Sequence, residues 1–391
     1  MNFPFQLLRK RLEKADINLL VKMKVFMFDC DGVLWRGKTP IRGAVETLNY
    51  LRDHGKSIYY CTNSSARSRA DTLDRLKSYG VDASINEIIT SSYATACYLK
   101  DQPNHKDAYV IGEKGIYDEL EAVGIKCHGM EDNSQTDISC LKDMNPDVGT
   151  VVVGLDKSVN YVKLSRAASY IRDYHCPFVA TNNDAADPNE QGLIVGAAGC
   201  MVSAVSAICG KQPDIILGKP NPTFLGIVRK QHPEVDPWDI MMVGDRLETD
   251  IALAKQNGLK SLSVLSGITK EEDVLNCKDE MAPLFYTDSV ADLKDIFVFA
   301  EDMTNEDEEK QALAELERLK QEKKEMRRKQ REERRRIKEQ REKEIEEGKK
   351  ILKEELEKME KEEMKGKEKK EPEKEEGADE EMKKMEEELR K

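Results

Sequence analysis

The sequence lacks the cysteine patterns of a zinc site or a disulfide framework. Its nine cysteines are odd in number and scattered, and no C-x-x-C pair occurs among them. Zinc sites and disulfide-stapled folds depend on such spacings, so we expect free thiols and a reducing compartment. Cys30 lies between two acids, where it is either a packed apolar side chain or a target of peroxide.

Nucleotide-binding loops and membrane-spanning segments are also missing. No G-x-G-x-x-G occurs, and the Gly218-Lys219 pair has Pro213 where a P-loop needs its first glycine. No apolar run reaches the roughly 18 residues of a transmembrane helix, and no apolar segment precedes a small-residue cleavage site. The net charge of −12 disfavours binding to nucleic acid. We therefore expect a cytoplasmic protein that binds neither nucleic acid nor membranes.

Residues 301–391 contain no aromatic residue and no cysteine, although they hold 34 acidic and 29 basic side chains. A segment of this composition cannot form a packed core. Glutamates followed four residues later by a basic residue recur, as at Glu325/Lys329, and such pairs stabilise a solvated helix. Leu316 and Met326 suggest coiled-coil heptads, but the apolar positions then become irregular, which favours a single charged helix. We predict a helical or disordered tail, either passive or bound to a partner that the sequence does not identify.

Two acids, Asp29 and Asp31, directly follow the apolar run at residues 25–28, which is typical of a buried strand. Two carboxylates this close raise each other's pKa unless a cation lies between them. Mg²⁺ prefers one or two carboxylates together with water and phosphate, and open α/β sheets bind ligands at the carboxyl ends of their strands. The alternative is an ordinary turn before Gly32, because Asp and Gly dominate turns for backbone reasons.

Three further segments favour the metal site, because each places polar side chains at the end of a short apolar run. Hydroxyl and amide groups can hold phosphate oxygens, and a lysine can neutralise phosphate and carboxylate together. The segments are Thr62-Asn63-Ser64-Ser65 after residues 57–61, Lys219 after residues 214–217, and Asp245 and Asp250 after residues 240–243.

In order and chemistry, these four segments resemble the motifs of the haloacid dehalogenase (HAD) superfamily, specifically its Mg²⁺-dependent aspartate phosphatases with a large inserted cap. The segments D-C-D-G-V-L-W-R-G, T-N-S-S, G-K-P and G-D-R-L-E-T-D-I are similar to the branch of phosphoglycolate, pyridoxal and 4-nitrophenyl phosphatases. The resemblance covers about residues 20–298. It departs from the commoner T-N-N-S-S pattern at Ser64, which affects the hydrogen bonds of that loop and not the reactive acids.

The resemblance implies a role for each reactive residue. Asp29 would be the nucleophile that forms an aspartyl phosphate, and Asp31 would protonate the leaving alkoxide and then activate water. The Asp29 side chain, the Asp31 backbone carbonyl and Asp245 would bind Mg²⁺, with Asp250 supporting them. Lys219 would hold Asp29 and the phosphoryl group in register.

Substrate contacts are expected from two loops. Thr62, Asn63 and Ser64 would bind the phosphoryl oxygens. Residues 181–188, with Asp184 among them, are the candidate loop for substrate selection, and the alternative is a plain surface loop rich in turns.

Chain length predicts the cap as a separate insertion. Asn63 and Lys219 are 156 positions apart, whereas one α/β unit needs only roughly 30 residues. We predict an α/β protein with a doubly wound parallel sheet, an inserted smaller α/β cap and a charged helical tail. The predicted divisions are an extension at 1–20, the core at 21–104 and 206–300, the cap at 105–205 and the tail at 301–391. Predicted strands lie near 108–111, 150–154 and 177–181, and predicted helices lie near 114–123 and 160–173.

The sequence therefore predicts a phosphoric monoester hydrolase acting on a small phosphorylated metabolite, with 2-phosphoglycolate as the leading substrate. Pyridoxal phosphate and glycerol phosphate are the alternative substrates. A scaffold that displays the charged tail is a second class of function. The resemblance also implies a homodimer formed through the caps.

Overall fold

The computed structural model describes residues 9–103, 106–188, 193–302, 315–329, 332 and 348–350. The chain forms two compact units, Met1–Ala312 and Leu313–Lys391. All nine cysteines are unpaired, so the prediction of free thiols is confirmed. No helix within the described ranges combines the length and the apolar character needed to cross a bilayer.

The described part of the first unit alternates strands with helices. Its strands are β1 (Lys10–Arg11), β2 (Val25–Asp29), β3 (Trp35–Arg36), β4 (Thr39–Pro40), β5 (Ser57–Thr62), β6 (Ile88–Thr90), β7 (Asp107–Ile111), β8 (Cys127–His128), β9 (Val148–Val153), β10 (Phe178–Ala180), β11 (Ala186–Pro188), β12 (Ile194–Gly196), β13 (Ile215–Ile216), β14 (Ile240–Gly244), β15 (Lys260–Val264) and β16 (Phe285–Thr287).

Its α-helices are α1 (Ile17–Leu20), α2 (Ala44–Asp53), α3 (Arg69–Ser78), α4 (Ser91–Lys100), α5 (Lys114–Ala122), α6 (Tyr161–Arg172), α7 (Ala198–Cys209), α8 (Thr223–Gln231), α9 (Ala252–Asn257), α10 (Glu271–Asn276) and α11 (Ala291–Asp302). A π-helical turn, Leu247–Ile251, leads directly into α9. Short 3₁₀ turns occupy Lys14–Asp16, Ile85–Glu87, Met130–Asp132, Ile138–Lys142, Pro237–Asp239 and Asp279–Met281.

The larger sheet has seven strands in the order β1-β16-β15-β14-β2-β5-β6, and every pair is parallel. Successive residues of β2 face opposite sides: Phe26 and Phe28 belong to one hydrophobic cluster, and Val25 and Met27 belong to another. A parallel sheet buried on both faces needs helices on both sides, which explains why all five residues of β2 are buried. The predicted doubly wound sheet is confirmed.

The smaller sheet has five parallel strands in the order β13-β10-β9-β7-β8. The predicted cap strands and helices are present as β7, β9, β10, α5 and α6. One expectation is wrong: the sequence assigns the strand before Lys219 to the larger sheet, whereas β13 pairs with β10 of the smaller sheet. The run at residues 214–217 is too short to reveal its sheet, because pairing partners are set by tertiary contacts.

Contacts between α3 and α5 join the two parts of this unit. The Arg69 guanidinium donates to the Glu119 carboxylate at 3.0 Å, and the Arg69 backbone N–H donates to the same group at 2.6 Å. The Glu119 side chain is buried, and the Gly115 N–H donates to the Ala66 carbonyl at 3.3 Å. Buried, charge-assisted bonds of this kind fix the orientation of the smaller sheet over the larger one.

The predicted N-terminal extension at 1–20 contributes to the larger sheet, because β1 pairs in parallel with β16 at its edge. In the second unit, residues 315–329 are helical, which confirms a helix for that part of the tail. Arg318 lies 2.7 Å from Glu315 and 3.6 Å from Glu322 on this helix. Nothing in the described tail supports a coiled coil, and most of the predicted tail lies outside the described residues.

Candidate active site

Three adjacent parallel strands bring the predicted reactive residues to one edge of the larger sheet. Asp29 is the last residue of β2, Thr62 is the last residue of β5, and Asp245 follows the last residue of β14. These strands are direct neighbours in the order β14-β2-β5. Side chains separated by up to 216 positions therefore meet at the carboxyl ends of the strands, where α/β sheets bind ligands.

Three buried carboxylates lie at the centre of this edge. Oxygen atoms of Asp29, Asp245 and Asp250 all lie within 4.8 Å of one another. Burial, together with the charges of Asp29 and Asp250, raises the pKa of Asp245 to about 8. Burial also raises the pKa of Asp250 to about 6, although Lys219 opposes this shift. Because its pKa lies above neutrality, Asp245 would be fully ionised at pH 7 only beside a further cation.

The surroundings of Asp245 fit a divalent cation. Its Oδ2 accepts a hydrogen bond from the Ile268 N–H at 2.8 Å, whereas its buried Oδ1 has no hydrogen-bond partner among the described residues. A Cβ atom at Gly32 or at Gly267 would overlap with the Asp245 carboxylate, so two glycines leave room for it. Gly32 also has a φ of +86°, which glycine adopts without strain. An unpaired buried carboxylate oxygen is a ready ligand for Mg²⁺.

Lys219 connects two of these acids. Its Nζ donates to Asp29 Oδ1 at 2.6 Å, to Asp250 Oδ1 at 2.7 Å and to the Cys61 carbonyl at 3.0 Å. Burial by itself lowers the pKa of a lysine, but the Asp250 and Asp29 carboxylates outweigh it and raise the Lys219 pKa above its ordinary value. Lys219 is therefore a fixed cation beside the predicted nucleophile.

The side chain of Asp250 belongs to the carboxylate cluster, whereas that of Asp31 does not. The Asp31 side chain is outside the carboxylate cluster, and its Oδ1 accepts a hydrogen bond from the Trp35 indole at 2.8 Å. Asp250 is inside the cluster, where its Oδ2 accepts from the Arg246 N–H at 3.1 Å and its Oδ1 accepts from Lys219. Both oxygens of Asp250 thus hold neighbouring groups, in keeping with a supporting position.

The Asn63 side chain makes hydrogen bonds that the sequence did not predict. Its Oδ1 accepts from the Lys219 backbone N–H at 2.7 Å, and its Nδ2 donates to the Lys219 carbonyl at 3.2 Å. The same Nδ2 donates to Asp184 Oδ1 at 3.3 Å. The Asn63 amide therefore holds the Lys219 backbone, and the Asn63 carbonyl accepts from Ser91 Oγ at 2.6 Å and from Asn182 Nδ2 at 2.7 Å. The hydroxyl groups of Thr62 and Ser64 are the groups of this loop that could donate to phosphate. In that loop, the Ser64 N–H donates to Thr62 Oγ1 at 3.0 Å.

A cleft of about 820 Å³ opens over the carboxylates and is lined from both sheets. Asp184 contributes to its wall, as the predicted selection loop requires, and basic side chains lie around it. The lining includes Asp29, Asp31, Thr62, Asn63, Ser64, Lys219 and Asp245 from the larger sheet, Leu155, Asn182, Asp184, Ala197 and Ala198 from the smaller part, and the cations Arg36, Lys38, Arg246 and Lys270.

Cys30 packs away from solvent, with no exposed surface. Burial, together with the neighbouring Asp29 and Asp31 charges, raises the pKa of its thiol well above the ordinary value. Peroxide reacts with the thiolate form, so this environment favours the packed side chain over the redox-sensitive one.

Sequence reasoning assigned no role to the segment that follows Gly32. The structure places Trp35 against Asp31, and Arg36 and Lys38 in the cleft wall. The available signal was an indole four residues after an acid, because a buried Trp N–H normally finds a hydrogen-bond partner.

Comparisons with known proteins agree with this geometry. Residues 26–126 match the family described as haloacid dehalogenase-like hydrolase, and residues 216–293 match a second HAD-hydrolase-like family. The chain is 37% identical over 306 residues to glycerol-3-phosphate phosphatase of Mus musculus, which covers 73% of this chain and 94% of the relative. It is 38% identical over 284 residues to phosphoglycolate phosphatase 2 of Arabidopsis thaliana, which covers 71% of this chain and 94% of the relative.

A solved structure shows that the similarity includes the three-dimensional fold. The glycerol phosphate phosphatase of Mycobacterium tuberculosis in complex with magnesium superposes with a TM-score of 0.61 at 25% identity, covering 73% of this chain and 78% of that one. The relatives match over nearly their whole length, and the acids that define the HAD motifs meet at one edge of this sheet. On both grounds, the chain belongs to the haloacid dehalogenase-like hydrolases.

Proposed function

We propose that this protein is a Mg²⁺-dependent phosphatase that hydrolyses small phosphomonoesters. The observation that carries the proposal is the buried group of Asp29, Asp245 and Asp250 at the carboxyl ends of adjacent strands, with Lys219 bound to Asp29 and Asp250. A scaffold would gain nothing from burying three mutually repelling acids, because unpaired buried charge lowers stability. The relatives that match most of this chain are named as phosphatases of small metabolites.

Asp29 is the proposed nucleophile. One of its oxygens forms a bond to phosphorus while the bond from phosphorus to the leaving oxygen breaks, giving an aspartyl phosphate. Lys219 lies 2.6 Å from Asp29 Oδ1, so it orients the carboxylate and places positive charge beside the transferring group. Asp29, Asp245 and the Asp31 carbonyl would hold Mg²⁺, which supplies the charge that offsets repulsion between carboxylate and phosphate. Asp250 keeps Lys219 in place.

Asp31 is the proposed acid and base. Its carboxyl proton passes to the leaving alkoxide, and the resulting carboxylate then takes a proton from the water that attacks the aspartyl phosphate. This water releases inorganic phosphate and restores Asp29. The hydroxyl groups of Thr62 and Ser64 would bind the phosphoryl oxygens as they move.

Phosphoglycolate is the substrate that we propose to test first. Arg36, Lys38 and Lys270 line the same cleft as the reactive acids, and cations suit a leaving group that carries a carboxylate. Glycerol phosphate is the second candidate, because one relative is named as a glycerol-3-phosphate phosphatase and another as a phosphoglycolate phosphatase. Pyridoxal phosphate is the third candidate. A panel of the three esters, compared by kcat/KM, ranks them. A clear preference for glycerol phosphate, whose leaving group carries no charge, would contradict the role given to the cleft cations.

Magnesium dependence is the first expected result. Release of 4-nitrophenol from 4-nitrophenyl phosphate should require Mg²⁺ and stop in EDTA. Saturating Mg²⁺ should also raise the melting temperature by at least about 3 °C, because it binds only the folded carboxylate cluster. Calorimetry checks this second effect without any substrate.

Asp245→Asn is the matched variant for that measurement. It removes a charged ligand and should abolish the Mg²⁺-dependent rise in melting temperature. The metal assignment would be contradicted if the parent protein hydrolysed the ester equally well in EDTA, or if its melting temperature did not change with Mg²⁺.

We also propose a homodimer formed through the smaller sheet domain. Leu193 and the first two residues of strand β12 are three consecutive exposed apolar side chains: Leu193 (59% exposed), Ile194 (74%) and Val195 (43%). A contiguous apolar strand of this kind is typical of a surface that is covered in an assembly, and a second copy offers the same surface.

The dimer is tested by a charge on this strand. Ile194→Asp should shift the protein from dimer to monomer in sedimentation velocity, because it buries an unpaired carboxylate in the interface. Ile138→Asp is the control, since Ile138 is 59% exposed on a 3₁₀ turn of the same domain. A monomeric parent protein would refute the proposal, and so would equal dissociation of the two variants.

A further inference from the structure

The Trp35 indole is aimed at the carboxyl group that the proposed mechanism uses for proton transfer. Its Nε1–H donates to Asp31 Oδ1 at 2.8 Å, while the Trp35 side chain packs in the core beneath the cleft. Only 3% of Trp35 is exposed. A buried indole N–H needs an acceptor, and a carboxylate is the strongest acceptor that a side chain provides.

The backbone between the two residues makes this contact rigid. The Cys30 carbonyl accepts from the Leu34 N–H at 2.8 Å and from the Trp35 N–H at 3.2 Å. The Gly32 N–H donates to the Trp35 carbonyl at 2.8 Å, which closes the loop from the other side. The backbones of Asp31 and Trp35 are thus held across one tight turn, which fixes the points from which the two side chains approach each other.

A neighbouring helix holds the indole ring from its outer face. The Arg75 guanidinium carbon lies 4.1 Å from the centre of the Trp35 ring. Arg75 Nε also donates to the Tyr79 hydroxyl at 3.0 Å, and its Nη2 donates to the Gly37 carbonyl. A cation over the ring face restrains the indole in its plane. Helix α3 therefore supports the geometry of the loop that carries both acids.

We propose that Trp35 is a positioning residue for proton transfer by Asp31. The inference rests on the proposed phosphatase function and goes beyond it. Indole nitrogen only donates hydrogen bonds, so the Asp31 oxygen facing it acts as the acceptor in both protonation states. The transferable proton is then carried by Oδ2, and the carboxyl plane is fixed relative to the leaving oxygen. General acid catalysis depends on this orientation, because the acid must lie within hydrogen-bond reach of the oxygen that it protonates.

This role is tested by asking whether the loss of kcat/KM in a Trp35 variant depends on the leaving group of the substrate. Phenyl phosphate releases a basic phenolate that needs a proton, whereas 4-nitrophenolate is a stable anion that leaves without one. Trp35→Phe keeps the aromatic ring against Arg75 and removes only the N–H donor and part of the ring. We expect kcat/KM for phenyl phosphate to fall by about tenfold or more and kcat/KM for 4-nitrophenyl phosphate by less than about threefold.

Trp238→Phe is the matched control, because Trp238 is the other tryptophan of the chain and precedes β14 at the end of that strand opposite to Asp245. It should leave both values unchanged. Arg75→Gln is a second variant that leaves the core intact. It should give the same selective loss on phenyl phosphate in weaker form, so the inference stays testable if Trp35→Phe does not fold.

Different results would refute the proposed phosphatase function and the proposed role of Trp35. A parent protein that hydrolyses neither aryl phosphate with Mg²⁺ refutes the proposed function. An active parent protein, together with variants that lose both substrates to the same extent, refutes only the role of Trp35, because a purely structural contact would slow both reactions equally.

Discussion

Asp29→Asn is expected to lower kcat for 4-nitrophenyl phosphate by at least about 10³-fold, since loss of a nucleophile removes the covalent route altogether. An amide oxygen is a poor nucleophile, and no other carboxylate replaces it: Asp245 and Asp250 are held by the Ile268 and Arg246 backbones and by Lys219. Steady-state release of 4-nitrophenol measures the effect. Acid quenching during turnover adds a direct readout, because a phosphate adduct should appear on the parent protein and be missing from the variant.

Asp53→Asn is the control for this experiment. Asp53 is an exposed residue at the end of α2, so its loss should change neither the rate nor the adduct. The experiment also separates the two classes of function that the sequence leaves open. Undiminished turnover by Asp29→Asn would mean that the measured activity does not come from this site, and the scaffold interpretation would then be the better one.

Lys219→Met is expected to cost both activity and stability. The Lys219 side chain is 2% exposed and contacts Asp29 and Asp250, whose side chains are 11% and 1% exposed. Removing the cation leaves two buried carboxylates uncompensated, which typically lowers the free energy of unfolding by about 3–5 kcal/mol. Loss of the charge beside the transferring group should also reduce kcat by about 10²-fold or more. Urea unfolding in EDTA measures the first effect, and the 4-nitrophenyl phosphate assay measures the second.

Lys211→Met is the matched comparison, because it also removes a lysine from an ion pair. Lys211 lies 2.7 Å from Asp214, but the two side chains are 47% and 43% exposed. Solvent screens such a pair, so the expected change in the free energy of unfolding is below about 1 kcal/mol. Equal urea midpoints for the two variants would show that Lys219 does not carry the compensation assigned to it.

Much of the fold follows from local pattern. The apolar run at residues 25–28 ends in two acids, and that run is strand β2, buried on both faces. The helices predicted near 114–123 and 160–173 are α5 and α6, because amphipathic periodicity survives in any tertiary context. The two-residue strand β13 could not be assigned in this way. Its neighbours in the sheet come from residues 178–180, and no local signal records that pairing.

The candidate site also has features that the local sequence predicts and features that depend on tertiary contacts. That the candidate residues meet at one edge of the sheet could be predicted, since paired acids, a hydroxyl cluster and a lysine all stand at strand ends. The contacts of Asn63 could not, because its amide bonds a backbone segment 156 positions away. The contact of Trp35 with Asp31 is local in sequence, yet its direction depends on how the turn after β2 closes and on Arg75 of α3.

The sequence by itself determined the class of the fold, the family and the chemical character of the reactive groups, because these depend on residue type and on periodicity along the chain. Only the tertiary structure decided which carboxylates lie together, which side chain holds the Lys219 backbone and which sheet receives β13. Those features depend on distances between residues far apart in sequence, and such distances arise only when the parallel strands take their order in the sheet.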